Sequence, residues 1–292
     1  MSRVADGFIP GGSTILQYVS PDGVVLYLAG GRLAGTQGFE LGAGADGHGH
    51  VDVEHVFEKS ARGLGERHVG DDYSHAEIDL PIKVSGSSVD EYNRRRDWLR
   101  ELIPRDRFGY LCAYTNALGW RWIPTLRGSL KPALNRDPAG TNSAVFDVLF
   151  LAPNPLSRAA DHVPPEWRNV TGKSTASGSL NLYPGREIDG WPTFILTGPG
   201  ALSLKYAGND VKLPAVLAGE VLRIDTTFGA QTLRTRRLDG GPGRNLWPLM
   251  KGQQFAEPVP AKKVTKVSFQ ITGASSSTKL WAMVPRWQEG LV

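Results

Sequence analysis

Residues 190–229 read GWPTFILTGPGALSLKYAGNDVKLPAVLAGEVLRIDTTFG and hold four short runs of β-branched or aromatic residues. Glycine, proline and asparagine separate the runs and suit tight turns. Short apolar runs at this spacing predict antiparallel hairpins. We therefore predict a C-terminal β-sandwich of galectin-like or jelly-roll type. The four runs are Thr193 to Thr197, Ala201 to Tyr206, Asp210 to Leu213 and Glu220 to Asp225.

Composition narrows the class of protein. The 292 residues suffice for two ordinary domains, and 35 glycines with 20 prolines predict many turns and few long helices. The single cysteine, Cys112, excludes an internal disulfide and a multi-cysteine zinc site. No signal-peptide pattern follows Arg3, and the longest apolar run, Val24 to Ala29, is far too short to span a bilayer. We expect synthesis in a cytosol, no membrane partner, and little electrostatic attraction to nucleic acid at a net charge of +4.

The first half predicts a β-sheet domain with one amphipathic helix. His75 to Ser85 alternates apolar and polar residues, which is typical of a half-buried strand. Ser88 and Glu91 form a capping box, so a helix should start there and end before Pro104. Further strands are predicted at Phe108 to Thr115, Arg121 to Leu126 and Ala144 to Leu151, while the glycine-rich residues 41–50 are predicted to form a mobile loop.

A domain boundary is predicted at Ala152-Pro153-Asn154-Pro155. The residues that follow, with Pro164 and Pro165, have the composition of a linker. We therefore predict an N-terminal domain over residues 1–155 and a C-terminal β-sandwich domain over residues 156–292. Together they make a mainly β protein.

Two features carry a resemblance to a known family. The second half contains Trp191-Pro192, the Gly198-Pro199-Gly200 turn and AGEVLRIDT at residues 218–226, in that order. The first half has a strand, a single helix and then a strand-rich stretch. In both respects the chain resembles the distal tail proteins of siphophages, which form the ring at the tip of a long, flexible tail. The resemblance covers nearly the whole chain.

The resemblance implies a structural virion protein without catalytic activity or cofactor. Such a protein would form a homo-oligomeric ring, usually of six copies in this family, that connects the tail tube to the hub or baseplate. Its partners would be the tail tube protein, the tail-associated hub protein and the tape measure protein, with nucleic acid only in transit through the channel. It would be made in the host bacterial cytoplasm and reside at the tail tip.

A closed ring requires a heterologous interface, in which one patch meets a different patch on the next subunit. We expect that interface on the strand at Ala76 to Val84 and on the helix at Ser88 to Ile103. Arginines 94–96 on this helix, like those at 234, 236 and 237, could face solvent, phosphates or a neighbouring subunit. The expected interface residues are Ile78, Leu80, Ile82, Tyr92, Arg95, Arg96 and Leu99.

The alternative function is a carbohydrate-binding module or adhesin, because sugar sites stack rings on exposed aromatic side chains. The candidate glycan contacts are Trp120, Trp122, Trp191 and Trp281, and the first two should share a strand face. A glycosidase would need two facing carboxylates, and Asp71, Asp72, Glu77 and Asp79 offer no convincing pair. The spacing of His48, His50, Asp52 and His55 matches no structural zinc site, so no metal is expected.

Overall fold

The computed structural model describes residues 14–49, 53–59, 65–133 and 137–292, which are mainly antiparallel strands, as the sequence predicts. The chain divides into two compact units. The first comprises residues 1–159 together with residues 289–292, and the second comprises residues 160–288. The predicted domain limit after Pro155 stays a prediction, and assigning the end of the chain to the first unit was not part of it.

The first unit has two antiparallel sheets that share one long strand. One sheet has the order β2-β1-β7-β8, and the other has the order β3-β6-β9-β8. The shared strand pairs with β7 up to Thr125 and with β9 from Leu126 onward, and its register with β9 shifts between Arg127 and Ser129. The elements are β1 (Ile15–Val19), β2 (Val25–Ala29), β3 (Phe39–Leu41), β4 (Val53–Lys59), β5 (Glu66–Tyr73), β6 (Ala76–Ser85), α1 (Val89–Leu102), β7 (Gly109–Thr115), β8 (Gly119–Ala133), the short α2 (Pro138–Thr141) and β9 (Ser143–Ala152).

The inner faces of these two sheets and one face of α1 enclose the core of the first unit. Alternate residues of each strand point inward, because successive side chains of a strand lie on opposite faces. Leu291, near the end of the chain, also belongs to this core. The fully buried members include Leu26, Leu28, Ile82, Val84, Leu99, Leu111, Val148 and Phe150.

The capping box at the start of α1 is confirmed, with one change of partner. The hydroxyl of Ser88 accepts a hydrogen bond from the Glu91 backbone N–H at 3.2 Å. The Glu91 carboxylate reaches back to the N–H of Ser87 at 2.7 Å, one residue earlier than a standard box. The helix ends where Ile103 N–H bonds to the Leu99 carbonyl, directly before Pro104.

The described part of the glycine-rich loop is held by backbone hydrogen bonds, which the expectation of a mobile loop did not include. Asp46 and Asp79 exchange two of them, at 2.9 and 3.1 Å. The carbonyl of His48 accepts a third from Leu291 at 2.9 Å. Gly47, at φ +75°, lies so close to the Glu77 carbonyl that any side chain would clash.

The second unit is a β-sandwich, as predicted. One sheet has the order β17-β16-β13-β19, with β11 paired to β19, and the other has the order β12-β18-β14-β15. The four runs of residues 190–229 form β13 to β16, and the third run starts one residue earlier than predicted. The elements are β10 (Ser157–His162), which begins in the first unit, β11 (Trp167–Arg168), β12 (Thr175–Leu182), β13 (Thr193–Thr197), β14 (Ala201–Tyr206), β15 (Asn209–Lys212), β16 (Glu220–Asp225), β17 (Thr232–Arg237), a 3₁₀ turn (Trp247–Met250), β18 (Thr265–Thr272) and β19 (Lys279–Gln288).

The core of the second unit lies between its two sheets. Phe194, Leu222 and Leu280 come from one sheet, and Leu204 and Ile271 come from the other. Among the helices of the described residues, none is both long and apolar enough to cross a lipid bilayer.

Candidate interface and binding surfaces

The hairpin of β4 and β5 stands apart from the two sheets of the first unit. Among the described residues its strands pair only with each other, from Val53 opposite Tyr73 to Lys59 opposite Glu66. A two-stranded hairpin without a packed face is marginally stable in water. This hairpin therefore needs support from something beyond its own backbone hydrogen bonds.

Three rings on the hairpin form a cluster, which we call the hairpin cluster. It consists of His55, Phe57 and His68, with ring centroids 5.4 to 6.3 Å apart. Phe57 is 54% exposed, and Val56 and Val69 beside it are exposed as well. Grouped apolar side chains on a surface element are typical of a contact site for another protein.

The structure places most of the expected interface residues inside the first unit. Ile78, Leu80 and Ile82 are at most 1% exposed, because the apolar face of β6 packs into the unit's own core. Tyr92 and Leu99, on the inner face of α1, are buried in the same core. The period-2 and helical patterns identified the buried faces, so a neighbouring subunit would meet the opposite, polar faces.

Two of the expected interface residues are arginines with partners in their own unit. Arg95 forms an ion pair with Glu91 at 2.7 Å and also donates to the carbonyl of Ser85, which links α1 to the end of β6. Arg96 pairs with Asp97 at 2.9 Å. Hydrogen bonding to Asp97 raises the pKa of Arg96 above its ordinary value, so the guanidinium remains charged.

The candidate glycan contacts of the first unit lie on an outward sheet face. Trp120 and Trp122 are half-buried on β8, and they share a face as predicted. The ring of Tyr114 on β7 lies 5.4 Å from that of Trp120. Tyr114 was not among the candidate contacts, although the alternation of outward and buried residues from Tyr110 to Tyr114 places it on this face. Burial raises the pKa of Cys112, on the same strand, to about 12, so its thiol is not activated.

The other two candidate glycan contacts belong to the second unit. Trp191 lies 6.1 Å from Phe228, which is 72% exposed. Trp281 is half-buried on the outward face of β19, opposite Ile195 of β13. The four tryptophans are therefore distributed over both units.

The other candidate groups do not assemble into a catalytic or metal site. Glu77 and Asp79 lie exposed on β6, and His48 and His55 lie on different elements. Within residues 14–49, 53–59, 65–133 and 137–292, no group of three or more potential metal ligands was found. His50 and Asp52 lie outside the described residues.

Comparison with known proteins identifies the fold. No protein-family model and no curated protein sequence matches the chain. Among solved structures, the Dit protein of phage SPP1, described as a paradigm of the hub adsorption apparatus in phages infecting Gram-positive hosts, aligns with a TM-score of 0.58. That alignment has 13% identity and covers 94% of this chain and 99% of the Dit chain.

Two further similar structures are chains of the phage P2 baseplate in its activated conformation. The structure with Ca has a TM-score of 0.52, 10% identity, and covers 95% of this chain and 99% of the other. The structure with Sr has a TM-score of 0.51, 10% identity, and covers 96% and 100%. The chain thus has the fold of phage hub and baseplate proteins over 94 to 96% of its length. The predicted resemblance to siphophage distal tail proteins is confirmed at the level of the fold.

Proposed function

We propose that this protein is a structural component of a phage tail tip, without enzymatic activity, and that it forms a ring connecting the tail tube to the hub or baseplate. The observation that carries the proposal is the fold likeness to SPP1 Dit, which extends over 94% of this chain and 99% of that one. Partial likeness to one sandwich would support far less, because β-sandwiches serve many functions. In this role the protein resides at the virion tail tip and is made in the host bacterial cytoplasm.

The hairpin of β4 and β5 supports the ring. A second copy of the chain that covered the hairpin cluster would bury Phe57, which one copy leaves 54% exposed. Hairpin-to-neighbour contact joins two different patches, and repetition of such a heterologous contact closes a ring when the rotation permits. A ring of six copies is the number that the family resemblance implies. Its partners would be the tail tube, the tail-associated hub and the tape measure proteins, with DNA passing through the channel.

The test is the native mass of the purified protein by light scattering, with class averages of negatively stained particles. The proposal expects a closed ring with a central hole, for the isolated protein or after addition of its tail tube protein. Phe57→Ser should weaken the assembly by at least tenfold in concentration, since Phe57 adds no core packing to a single copy. Phe228→Ser is the matched control, because Phe228 is also an exposed phenylalanine but lies in the second unit.

One outcome would contradict the proposed function, and another would contradict only the interface proposed for it. A protein that stays monomeric after addition of tail tube protein and binds neutral cell-wall glycans would favour the carbohydrate-binding alternative. A ring that Phe57→Ser leaves unchanged would retain the tail function and exclude the hairpin as its interface.

A further inference from the structure

The outward face of the sheet β17-β16-β13-β19 is basic and carries one large aromatic ring. The strands alternate between buried apolar residues and outward residues, which fixes the side that each cation occupies. We call this surface the basic face and define it by Arg223, Arg234, Arg236, Lys279 and Trp281. The three arginines are exposed, and the lysine and tryptophan are half-buried.

The strand register brings these residues into two rows. Arg234 lies opposite Arg223, Arg223 lies opposite Ile195, and Ile195 lies opposite Trp281. With neighbouring strands about 4.8 Å apart, the row from Arg234 to Trp281 is about 14 Å long. Arg236 and Lys279 occupy the ends of the adjacent row, which runs through Val221 and Thr197. The face thus has guanidinium groups at one end and an indole ring at the other.

The charge on this face is poorly neutralised. On the outward side of the four strands the carboxylate is Asp225, which lies 3.8 Å from Arg223. In the part of the chain that the structure describes, no ion pair is found for Arg234 or Arg236. An anion bound there would therefore not have to displace an existing partner.

The second unit as a whole is basic, although the protein is nearly neutral. Residues 160–288 contain 16 Lys and Arg against 9 Asp and Glu, a net charge of +7. The residues of the first unit contain 17 against 20, a net charge of −3. The field of the second unit therefore attracts polyanions at long range.

The basic face is also rigid. Residues 244–246 cover the free edge of β17, where Thr235 N–H bonds to the Arg244 carbonyl at 2.8 Å and Leu246 N–H bonds to the Leu233 carbonyl at 2.9 Å. Directly beneath the face, Leu222 and Leu233 are fully buried. A ligand would therefore meet a preformed backbone, and the ordering cost of binding would come from the exposed arginine side chains.

We propose that the basic face binds an anionic polysaccharide. A sugar ring stacks on the indole of Trp281, while carboxylate, phosphate or sulfate groups along the polymer accept hydrogen bonds from Arg223, Arg234 and Arg236. The planar guanidinium group suits oxyanions because it donates two parallel hydrogen bonds. A nucleic acid fits less well, since the row from Arg234 to Trp281 offers one ring for base stacking, whereas binding of single strands generally uses several.

This inference is independent of the proposed function, because one copy of the second unit contains the whole face. The test titrates the full-length protein with four polymers of matched length. They are polygalacturonate, which has sugar rings and carboxylates, polyacrylate, which has carboxylates without rings, neutral dextran, and oligo-dT. Polygalacturonate should bind most tightly, and dextran should not bind measurably. Added salt should weaken polygalacturonate binding, because it screens the arginines.

Variants separate the two halves of the face. Arg234→Gln with Arg236→Gln should weaken polygalacturonate binding by about tenfold. Trp281→Ala should weaken it by about fivefold and leave polyacrylate binding unchanged. Trp281→Phe keeps an aromatic ring and should retain most of the affinity for polygalacturonate. It replaces the alanine variant in the test if that variant is poorly folded. The matched control is Lys212→Gln with Lys266→Gln, which removes the same charge from exposed positions on the other sheet and should change affinity less than twofold.

Three results would overturn the inference. Equal affinity for polyacrylate and polygalacturonate would reduce the face to a nonspecific cation patch. Tighter binding of oligo-dT would make nucleic acid the ligand. An equal effect of the arginine variants and the lysine control would place binding elsewhere. None of these results depends on whether the protein forms a ring.

Discussion

Glu220 shows how a buried charge is accommodated in the second unit. Its side chain is 3% exposed, yet it accepts hydrogen bonds from Arg244 Nε at 2.8 Å and from the Leu217 N–H at 3.0 Å. Hydrogen bonding to Arg244, and secondarily to the backbone, holds the pKa of Glu220 below its ordinary value. A carboxylate with a depressed folded-state pKa stabilises the protein above its unfolded pKa, and the contribution is lost as pH falls through the folded value.

Arg244→Met should therefore destabilise the second unit at pH 7 by about 1.5–3 kcal/mol, because it leaves a buried carboxylate without its cation. Without Arg244 the pKa of Glu220 rises, so the variant loses less stability in acid and the difference from wild type narrows as pH falls through 4.5. Urea unfolding at several pH values measures both effects. Lys205→Met is the control, since its pair with Asp210 is solvent-exposed and should contribute under about 1 kcal/mol. If the difference in unfolding free energy between Arg244→Met and wild type did not change with pH, the ion pair with Glu220 would not be its cause.

At the scale of elements, the sequence predicted what hydrophobic periodicity and turn chemistry determine. Strands β13 to β16 were predicted correctly because short apolar runs in Thr193 to Asp225 are separated by glycine-rich turns. Helix α1 was predicted because Ser88 and Glu91 cap its start. The same periodicity guided the choice of interface residues, which stays a prediction. Regularly spaced apolar residues such as Ile78 and Leu80 mark the face that the unit buries for itself. A contact with another subunit has no such period in the sequence.

The hairpin of β4 and β5 was missed for a related reason. Its residues, VEHVFEK and ERHVGDDY, mix charges with isolated apolar side chains, and a register shift between Val56 and Phe57 interrupts the alternation. Strands without a buried face lack the pattern on which strand prediction relies. The hairpin that we propose as an interface is therefore the element that hydrophobic periodicity predicts least well.

The hairpin should exchange its amide hydrogens much faster than the core strands in an isolated copy. Its hydrogen bonds are protected by no packed layer, whereas β6 and β9 enclose a fully buried core. Hydrogen–deuterium exchange with mass spectrometry should show at least a hundredfold difference between the two regions, and assembly into a ring should slow the hairpin. β13 and β16 are the internal reference, since their rates should not change on assembly. A hairpin already protected in the monomer would mean that its stability does not depend on a neighbour.

At the scale of the whole molecule, the net charge of the chain did not reveal that its two units carry opposite charges. A net charge of +4 indicated only a weak field and little attraction to nucleic acid, because a second unit at +7 and a first unit at −3 largely cancel. The return of the chain's end to the first unit was likewise invisible, since the sequence GLV at residues 290–292 has neither length nor periodicity to indicate where it packs. Long-range contacts of a few residues are set by tertiary structure alone.

That return makes the stability of the first unit depend on residues 289–292. Leu291 is 3% exposed in its core, and the carbonyl of Gly290 accepts hydrogen bonds from Arg121 Nη1 at 2.8 Å and from the Ser157 hydroxyl at 2.6 Å. Deleting residues 289–292 removes the buried leucine side chain, worth about 1.5–3 kcal/mol, and an acceptor for a buried guanidinium. The first unit should lose about 3–5 kcal/mol, measured by urea unfolding with hydrogen exchange of β7 and β8 to identify the unit that opens.

Leu291→Met is the matched control for that deletion, because it nearly conserves side-chain volume and leaves the Gly290 carbonyl in place, so its cost should stay below about 1.5 kcal/mol. The second unit, whose core contains none of these residues, should unfold as in the wild type. If the amides of β7 and β8 kept full protection from exchange in the truncated protein, residues 289–292 would not contribute to the stability of the core. If the loss occurs as expected, the first unit folds fully only after residues 289–292 have been synthesised, because its core combines Leu291 with residues from Leu16 to Ala152.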